Sequence, residues 1–455
     1  MSDVVSHKSR KYLMIFIDIV FIFAAYILAF HIRFDNINPQ NWNAFISLLP
    51  WILLIGLVFI VMYELYIFDT KSNWDIIRSI VIASTLMLFF TMAASFLFRE
   101  FALPRSVILI AYILMNILLI SWKILYNIIF SKSIGTILFI GGEEEEDKIT
   151  DQILNQYGKK VHVKFICSSE PINQILKHLQ FVDSIMIGSG IENEKKLKVI
   201  YHSVEKGKPV YVIPNLYDLL LAHSVNTTID DTMVMAMKPL GLSMGQQAVK
   251  RLYDIVASFI ALVLLSPLFI IFALLIKLED PKGSIFYKQE RLGKDNMEFI
   301  IYKFRSMVEG AEKMTGPVLA GENDPRITKV GRFMRKTRVD ELPQLLNVLK
   351  GDMSIVGPRP EREYFAKQFE KELNHYFYRN IVKPGITGYA QIMGKYTTSV
   401  DDKLRFDLFY IRNYSFILDI IIQFKTIIVL FDKTKAEGKK ERKEKIETKN
   451  LTLKS

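Results

Sequence analysis

Four apolar runs open the chain, at about 12–30, 45–67, 77–98 and 106–130. Each is near the ~20 residues that a helix needs to cross a bilayer. None keeps the polar face of a soluble amphipathic helix, so a buried soluble bundle is the poorer reading. After about residue 134 the pattern changes to short apolar runs at 136–140, 161–167, 184–187 and 210–213, with charged segments of helical spacing between them. That alternation predicts a small parallel α/β sheet. A fifth apolar run, 252–276, is again long enough to span, and Ser266 and Pro267 lie near its middle. A mid-helix proline removes a backbone hydrogen bond and bends the helix, and a neighbouring serine can satisfy the freed groups. A last apolar helix is expected at 415–431, with Asp419, Gln423 and Thr426 at helical spacing. It is short for a span and has one polar stripe, so it is expected to lie in the interface plane.

The pattern divides the chain into four transmembrane helices over 1–133, a Rossmann-like α/β module over 134–237, and a mostly α third part over 238–433. Residues 434–455, dense in Lys and Glu, are expected to be a charged disordered tail with weak attraction to anionic lipid. Lys8, Arg10 and Lys11 precede the first helix and Lys132 follows the fourth. The positive-inside rule puts both ends of the bundle in the cytoplasm. The fifth run is basic on both flanks, with Lys250 and Arg251 before it and Lys277 and Lys282 after it. The run is expected to be a re-entrant helix-break-helix that enters and leaves on the cytoplasmic face. The alternative that the residues leave open is a proline-kinked fifth span, which would carry everything after it to the far side.

Composition narrows the chemistry. The 455 residues carry a formal net charge of +11 and are 51% apolar. That charge suits nucleic acid, an anionic membrane surface or phosphate-rich substrates; the apolar runs favour the last two over nucleic acid. A single cysteine, Cys167, excludes a disulfide framework within the chain. The seven His are scattered, without zinc spacing. The first apolar run lacks a small-residue cleavage site and reads as an anchor rather than a signal peptide. The first strand of the α/β module ends in Gly141–Gly142, where a Rossmann fold places its phosphate loop. Five acidic residues, Glu143 to Asp147, follow at once. They would repel a pyrophosphate, so a tight turn into a solvated helix is preferred, and the module reads as a scaffold or regulatory part.

The richest segment is 332–362, RFMRKTRVDELPQLLNVLKGDMSIVGPRPER. A short amphipathic helix is expected at 343–350, stopped by Gly351. Asp340 and Glu341 stand just before it. On spacing alone, capping of that helix is the favoured role. The functional reading gives the pair a nucleophile, which can attack phosphorus and form an acyl phosphate, and a ligand for Mg2+. Arg332, Arg335, Lys336, Arg338, Arg359 and Arg362 surround the pair in sequence. Arg359, held between Pro358 and Pro360, suits a preorganised phosphate clamp. Lys303 and Arg305 lie in the segment YKFRSM, and Lys383 opens KPGITGYAQ, whose Tyr389 could stack on a base or simply belong to a structural turn.

These motifs carry a resemblance. Lys250–Arg251 with Asp254, Ser266–Pro267, YKFRSM, Asp340–Glu341–Leu342–Pro343–Gln344, the GPRP turn and KPGITGYAQ resemble, in that order, the bacterial sugar transferase family, the monotopic phosphoglycosyl transferases. With the helices and α/β module in front, the chain is similar to the larger polyprenyl-phosphate hexose-1-phosphate transferase subfamily. The resemblance implies a bacterial inner-membrane enzyme with its catalytic domain on the cytoplasmic face. It implies transfer of a sugar-1-phosphate from a UDP-sugar to polyprenyl phosphate, releasing UMP, in the assembly of a polysaccharide such as exopolysaccharide, capsule or O-antigen. The route would be ping-pong, with Asp340 as nucleophile, Glu341 as the Mg2+ ligand, and Lys303, Arg335 and Arg359 on phosphates. Asp407, in RFDLFY, matches a further acidic family position and is expected at the substrate. Membrane lipid is an implied partner, nucleic acid is not, and a homodimer is left open. Lys383, Tyr389 and Lys395 stand where relatives often have Arg, Trp and Arg, a departure that bears on nucleotide or sugar preference. A membrane-anchored nucleotide-sugar dehydratase is a rival reading. It lacks support, since no Tyr has Lys four positions on and the acidic run spoils a dinucleotide loop. A non-catalytic assembly scaffold is the second rival.

Overall fold

The computed structural model describes residues 2–67, 71, 73–100, 102–130, 135–157, 161–222, 224–237, 239–311, 324–395 and 398–430. The expected tail, 434–455, lies outside them. The chain forms two compact units, Met1–Asn215 and Leu216–Ser455.

In the first unit, four apolar helices come first: α1 (Ser2–Arg33), α2 (Pro39–Met62), α3 (Asn73–Leu97) and α4 (Arg105–Phe130). Asn38 caps α2 through its side-chain oxygen, which accepts from Gln40 N at 2.9 Å, and Pro39 occupies the first turn, where its missing N–H costs nothing. Large apolar side chains on all four helices face outward, including Phe16, Leu54, Phe89 and Ile117. Outward-facing residues of that kind are what a lipid environment demands. Inside the bundle, Asp18 of α1 and Lys123 of α4 form a fully buried ion pair at 2.8 Å, and Lys123 Nζ also donates to Leu65 O at 3.0 Å. The pair ties the first and last helices to the turn after α2.

The parallel sheet follows. Strands β1 (Gly135–Gly141), β2 (Val161–Cys167), β3 (Ser184–Ile187) and β4 (Val210–Val212) pair in the order β2-β1-β3-β4, all parallel. Helices α5 (Glu143–Tyr157), α6 (Ile172–His178) and α7 (Asn193–Glu205) alternate with the strands. Leu138, Ile140, Ile185 and Ile187 bury one face and Ile137, Phe139 and Ile153 the other. The acidic run forms the first turn of α5, where the helix dipole favours carboxylates. Glu145 folds back over the glycines: Ser189 Oγ donates to its Oε1 at 2.8 Å, and its other oxygen lies against Gly141 and Gly188. A carboxylate therefore fills the place where a Rossmann fold would hold phosphate.

The second unit opens at Leu216. Helix α8 (Leu216–Leu221) and the hairpin β5 (Val225–Ile229) and β6 (Thr232–Ala236) belong to it. The reason is local packing: Arg412 Nη2 donates to Leu220 O at 2.9 Å. Helix α9 (Met244–Glu279) follows, 36 residues long, started by a reciprocal Ser243–Gln246 capping box. It runs uninterrupted through Pro267, and Ser266 Oγ donates to Val263 O at 2.8 Å. Most of its apolar surface is exposed. Among the described residues α1 to α4 and α9 are five helices long and apolar enough to cross a membrane. The remaining elements are the antiparallel pair β7 (Phe286–Leu292) and β8 (Glu298–Phe304), α10 (Lys329–Thr337), a 3-10 turn over Val339–Glu341, α11 (Gln344–Lys350), β9 (Ser354–Val356), α12 (Glu363–Glu372), β10 (Gly385–Thr387) parallel to β9, α13 (Tyr389–Met393), α14 (Val400–Arg412) and α15 (Phe416–Leu430). Their main core gathers Val356, Tyr376, Leu404, Leu408, Tyr410 and Ile422.

Truncating one member of a buried ion pair leaves an uncompensated charge, whereas removing both leaves an apolar gap. We expect Lys123→Met to lower the stability of the solubilised protein by roughly 3–5 kcal/mol, and Lys123→Met combined with Asp18→Leu to recover most of it. Thermal unfolding in detergent measures both.

Candidate active site

The site is built on an abrupt change of backbone direction. Helix α10 ends at Thr337 because Arg338 adopts the left-handed conformation, φ 56°, which is costly for a residue with a Cβ. The chain then makes one 3-10 turn, Val339–Glu341, and Pro343 starts α11. The two carboxylates thus sit at the corner between two short helices, beside β8. Neither caps α11: Pro343 is the N-cap, with no side-chain cap bond. Asn347, fully buried on α11, accepts from Tyr302 N at 3.0 Å and donates to Ile300 O at 2.7 Å. That bond pair fixes the strand carrying Lys303 against the helix that follows Glu341.

The cations then divide the two carboxylates. Lys303 Nζ and Arg359 Nη2 both donate to Glu341 Oε1, at 3.0 and 2.7 Å. Burial disfavours the Glu341 charge, but Arg359 and Lys303 more than offset it and hold this carboxyl well below the usual range. In return Glu341 raises the Arg359 guanidinium above its ordinary value. Asp340 has no such partner: among the described residues no hydrogen bond or ion pair engages its carboxylate. Burial, and next the Glu341 charge, push Asp340 up to about 6, against the opposing pull of Lys303, Arg335 and Arg359. The result is one carboxylate locked as an anion and one left half-buried, unengaged and surrounded by cations. A small cleft beside them is lined by Arg291, Lys303, Gln344, Arg359 and Pro360.

The other residues singled out by sequence fall into two groups. Arg335, on α10, faces Asp340. Asp407 does not reach the pair. Its buried carboxylate takes Arg379 Nε at 2.8 Å and Nη2 at 2.7 Å, and Arg379 Nη2 also donates to Arg359 O at 2.9 Å. It therefore acts on the backbone of the GPRP turn. Tyr389 packs on Phe409, centroids 5.0 Å apart, and on Phe406. Lys395 is exposed, and Lys383 lies beside Arg251 rather than beside Asp340. The α9 motif docks this helix onto the site's scaffold. Arg251 donates to Val348 O at 2.5 Å and Leu349 O at 2.8 Å, closing the carbonyl end of α11; Asp254 Oδ1 accepts from Ile355 N at 3.0 Å. Lys250 donates to Asp419 Oδ2, and Tyr410 OH to Asp419 Oδ1 at 2.8 Å. At its other end, Glu279 accepts from Lys329 N and Val330 N at 2.7 and 3.0 Å, capping α10. Phe269 and Phe272 pack on Phe304, next to Lys303.

Sequence reasoning missed Asn347, Arg379 and the partnership of Asp419. The polar stripe of α15 was legible, but its use was not: Asp419 holds Lys250, Gln423 accepts from Tyr253 OH at 2.8 Å, and Thr426 meets Thr387 at 2.7 Å. The stripe faces α9 and β10.

A metal is a further question for this corner. Among the described residues no three His, Cys, Asp or Glu side chains are grouped to hold one. Mg2+ does not need three. It binds through one or two carboxylates and completes its shell with waters and substrate phosphates. Glu341 offers the oxygen that neither cation uses, and Asp340 lies next to it, so the donor set fits Mg2+.

Comparison with known proteins bears on the family. The family model "Bacterial sugar transferase" matches residues 245–433. Over 182 residues the chain is 50% identical to the UDP-N-acetylgalactosamine-undecaprenyl-phosphate N-acetylgalactosaminephosphotransferase of Aeromonas hydrophila, covering 39% of this chain and 43% of that protein. Over 237 residues it is 38% identical to the UDP-glucose:undecaprenyl-phosphate glucose-1-phosphate transferase of Escherichia coli (strain K12), covering 50% of each. The chain thus spans about half the length of these two relatives. It is also 42% identical over 187 residues to the exopolysaccharide production protein PSS of Rhizobium leguminosarum bv. phaseoli, covering 39% of this chain and 93% of that smaller protein. The corner that separates Asp340 from a cation-bound Glu341, the docked apolar helix α9 and these matches together identify the chain as a member of the bacterial sugar transferase family.

Proposed function

We propose that this protein transfers a sugar-1-phosphate from a UDP-sugar to polyprenyl (undecaprenyl) phosphate at the cytoplasmic face of the bacterial inner membrane, through a phosphosugar held on Asp340. The observation that carries this reading is the unengaged Asp340 carboxylate beside a Glu341 already neutralised by Lys303 and Arg359. An Asp340 oxygen attacks the sugar-side phosphorus. The bond from that phosphorus to the bridging oxygen breaks, and UMP leaves with the electron pair. An oxygen of polyprenyl phosphate then attacks the same phosphorus, and Asp340 departs as a carboxylate. Phosphoryl transfer of this kind depends above all on positioning and charge neutralisation. Lys303, Arg335 and Arg359 supply the cations. Mg2+ held by Glu341 would add neutralisation of the diphosphate.

Helix α9 supports the lipid half of the reading. Its two ends bond to the helices on either side of the carboxylates, Arg251 to α11 and Glu279 to α10. We infer that it enters and leaves the membrane on one face, bending at Ser266–Pro267. Both ends then meet one cytoplasmic catalytic unit, and a lipid phosphate at headgroup depth reaches it. The names of the relatives span several sugars, so a panel of UDP-sugars assayed for UMP release identifies the donor.

Three outcomes are expected. First, Asp340→Asn lowers UMP release by at least about a thousandfold, and wild type incubated with labelled donor carries the phosphosugar on residue 340. Full turnover in the variant ends the proposal. Second, the attacking group must be ionised, so kcat/KM falls on the acid side through about pH 6, where Asp340 gains its proton. The same shift acts on stability. The folded carboxyl binds its proton more tightly than the unfolded one, so this group's contribution falls as pH rises from about 4 to about 6. Asp340→Asn should therefore melt higher than wild type at neutral pH, with the gap closing below about pH 4. Third, Lys367→Cys on exposed α12, in a Cys167→Ser background, is labelled by an impermeant thiol reagent only after the cells are opened. Labelling of intact cells would place the unit on the far side.

A further inference from the structure

A second cationic cluster lies at the opposite end of α11 from Asp340. Gly351 terminates that helix in the left-handed region, φ 101°, and its missing side chain leaves open a small space. Arg251 Nη2 and Lys383 Nζ converge on this space, 3.3 and 3.5 Å from where a Cβ on Gly351 would stand. Arg251 is engaged by the neutral carbonyls of Val348 and Leu349. Lys383 is half-buried and, among the described residues, makes no hydrogen bond or ion pair. Lys294 faces it as a third cation; Asp254 and Asp352 face it as well, but Asp254 accepts from Ile355 N and Asp352 from Asn347 Nδ2, at 3.0 and 3.3 Å. Burial, and next the facing Arg251, lower the Lys383 ammonium below its ordinary value. Asp254 and Asp352 offset part of the repulsion between the two cations, but neither bonds Lys383, whose ammonium keeps its donors for an anion placed between it and Arg251.

The location selects the anion. Arg251 stands just before the apolar part of α9, at the depth of lipid headgroups when that helix enters the membrane as proposed above. Helix α11 has seven residues, so at 1.5 Å each it holds this cluster about 10 Å or more from the carboxylate corner. Lys383 faces neither Asp340 nor Glu341.

We propose that Lys383 and Arg251 form a binding site, separate from the reacting carboxylate, for the phosphate group of a membrane lipid. The phosphate would accept from Lys383 and from the outer face of the Arg251 guanidinium, over the gap that Gly351 leaves. The lipid is either the polyprenyl phosphate waiting for Asp340 to be loaded or an anionic phospholipid that fixes the depth of α9. The inference rests on the membrane reading of α9 but not on the transfer reaction.

The test uses the full chain in nanodiscs without sugar donor, with native mass spectrometry as the readout. The probes are a short polyprenyl phosphate and phosphatidylglycerol in a phosphatidylcholine background. Lys383→Gln is compared with wild type, with Lys383→Arg, and with Lys367→Gln as a surface control. Loss of one charge-assisted contact weakens the bound phosphate about tenfold, and Lys383→Arg restores it. Weakening of polyprenyl phosphate assigns the site to the acceptor. Weakening of phosphatidylglycerol alone assigns it to the bilayer. Binding of both probes within about twofold of wild type in Lys383→Gln overturns the proposal. UMP release is assayed separately: its absence in wild type would sink the transfer reaction while leaving the lipid measurement intact.

Discussion

One ion-pair cluster gives the candidate site its chemistry. Two neighbouring carboxylates in a partly desolvated corner would raise one another's pKa and would both tend toward the neutral form. Lys303 and Arg359 prevent this by binding one of them, Glu341, through a single oxygen. Its charge then persists and presses on Asp340, which is left ionisable near pH 6 and without a partner. Equal sharing of the cations would hold both carboxyls low. Geometry breaks the symmetry: Arg359 is held by the GPRP turn, and Arg379 fixes the carbonyl of Arg359 while being neutralised by Asp407. Asp407 thus acts on the site at a distance, through one guanidinium and one backbone oxygen.

The corner depends in turn on helix α9. Short helices such as α10 and α11 have little stability of their own, since nucleation consumes most of the gain from a few hydrogen bonds. Each is stabilised here at a terminus by a side chain of the long helix. Arg251 satisfies the last carbonyls of α11, and Glu279 the first amides of α10. Lys250, Asp254 and Asp419 lock the start of α9 into the core, and burying these charges is tolerable only because each is paired or hydrogen-bonded. Helix α9 and the carboxylate corner consequently form one mechanical unit, the arrangement that the proposed transfer between a lipid phosphate and a soluble donor requires.

The parallel sheet shows the opposite economy. Its topology is that of a nucleotide-binding fold, but Glu145 turns back over Gly141 and Gly188 and places a carboxylate where phosphate would bind. The candidate site lies in the second unit, and a fold of this kind does not by itself imply a nucleotide site.

Hydropathy by itself determined the apolar helices, and alternation determined the four strands of the sheet almost to the residue, because both reflect periodic burial within one element. Asp340, Glu341, Lys303 and Arg359 were singled out with the help of the family resemblance, and the structure brings them into one corner. What the chain alone left open was which partner each charge takes. Capping was the favoured role for Asp340 and Glu341 on spacing, yet neither caps, because Lys303, 38 residues upstream, and Arg359, 18 residues downstream, claim Glu341. Asp419 looked like part of an interfacial stripe, and only packing brings it to Lys250, 169 residues away. Local spacing reports which face a residue occupies. Ion pairs across such separations are decided by tertiary structure, since only folding brings their members out of water and into one another's field.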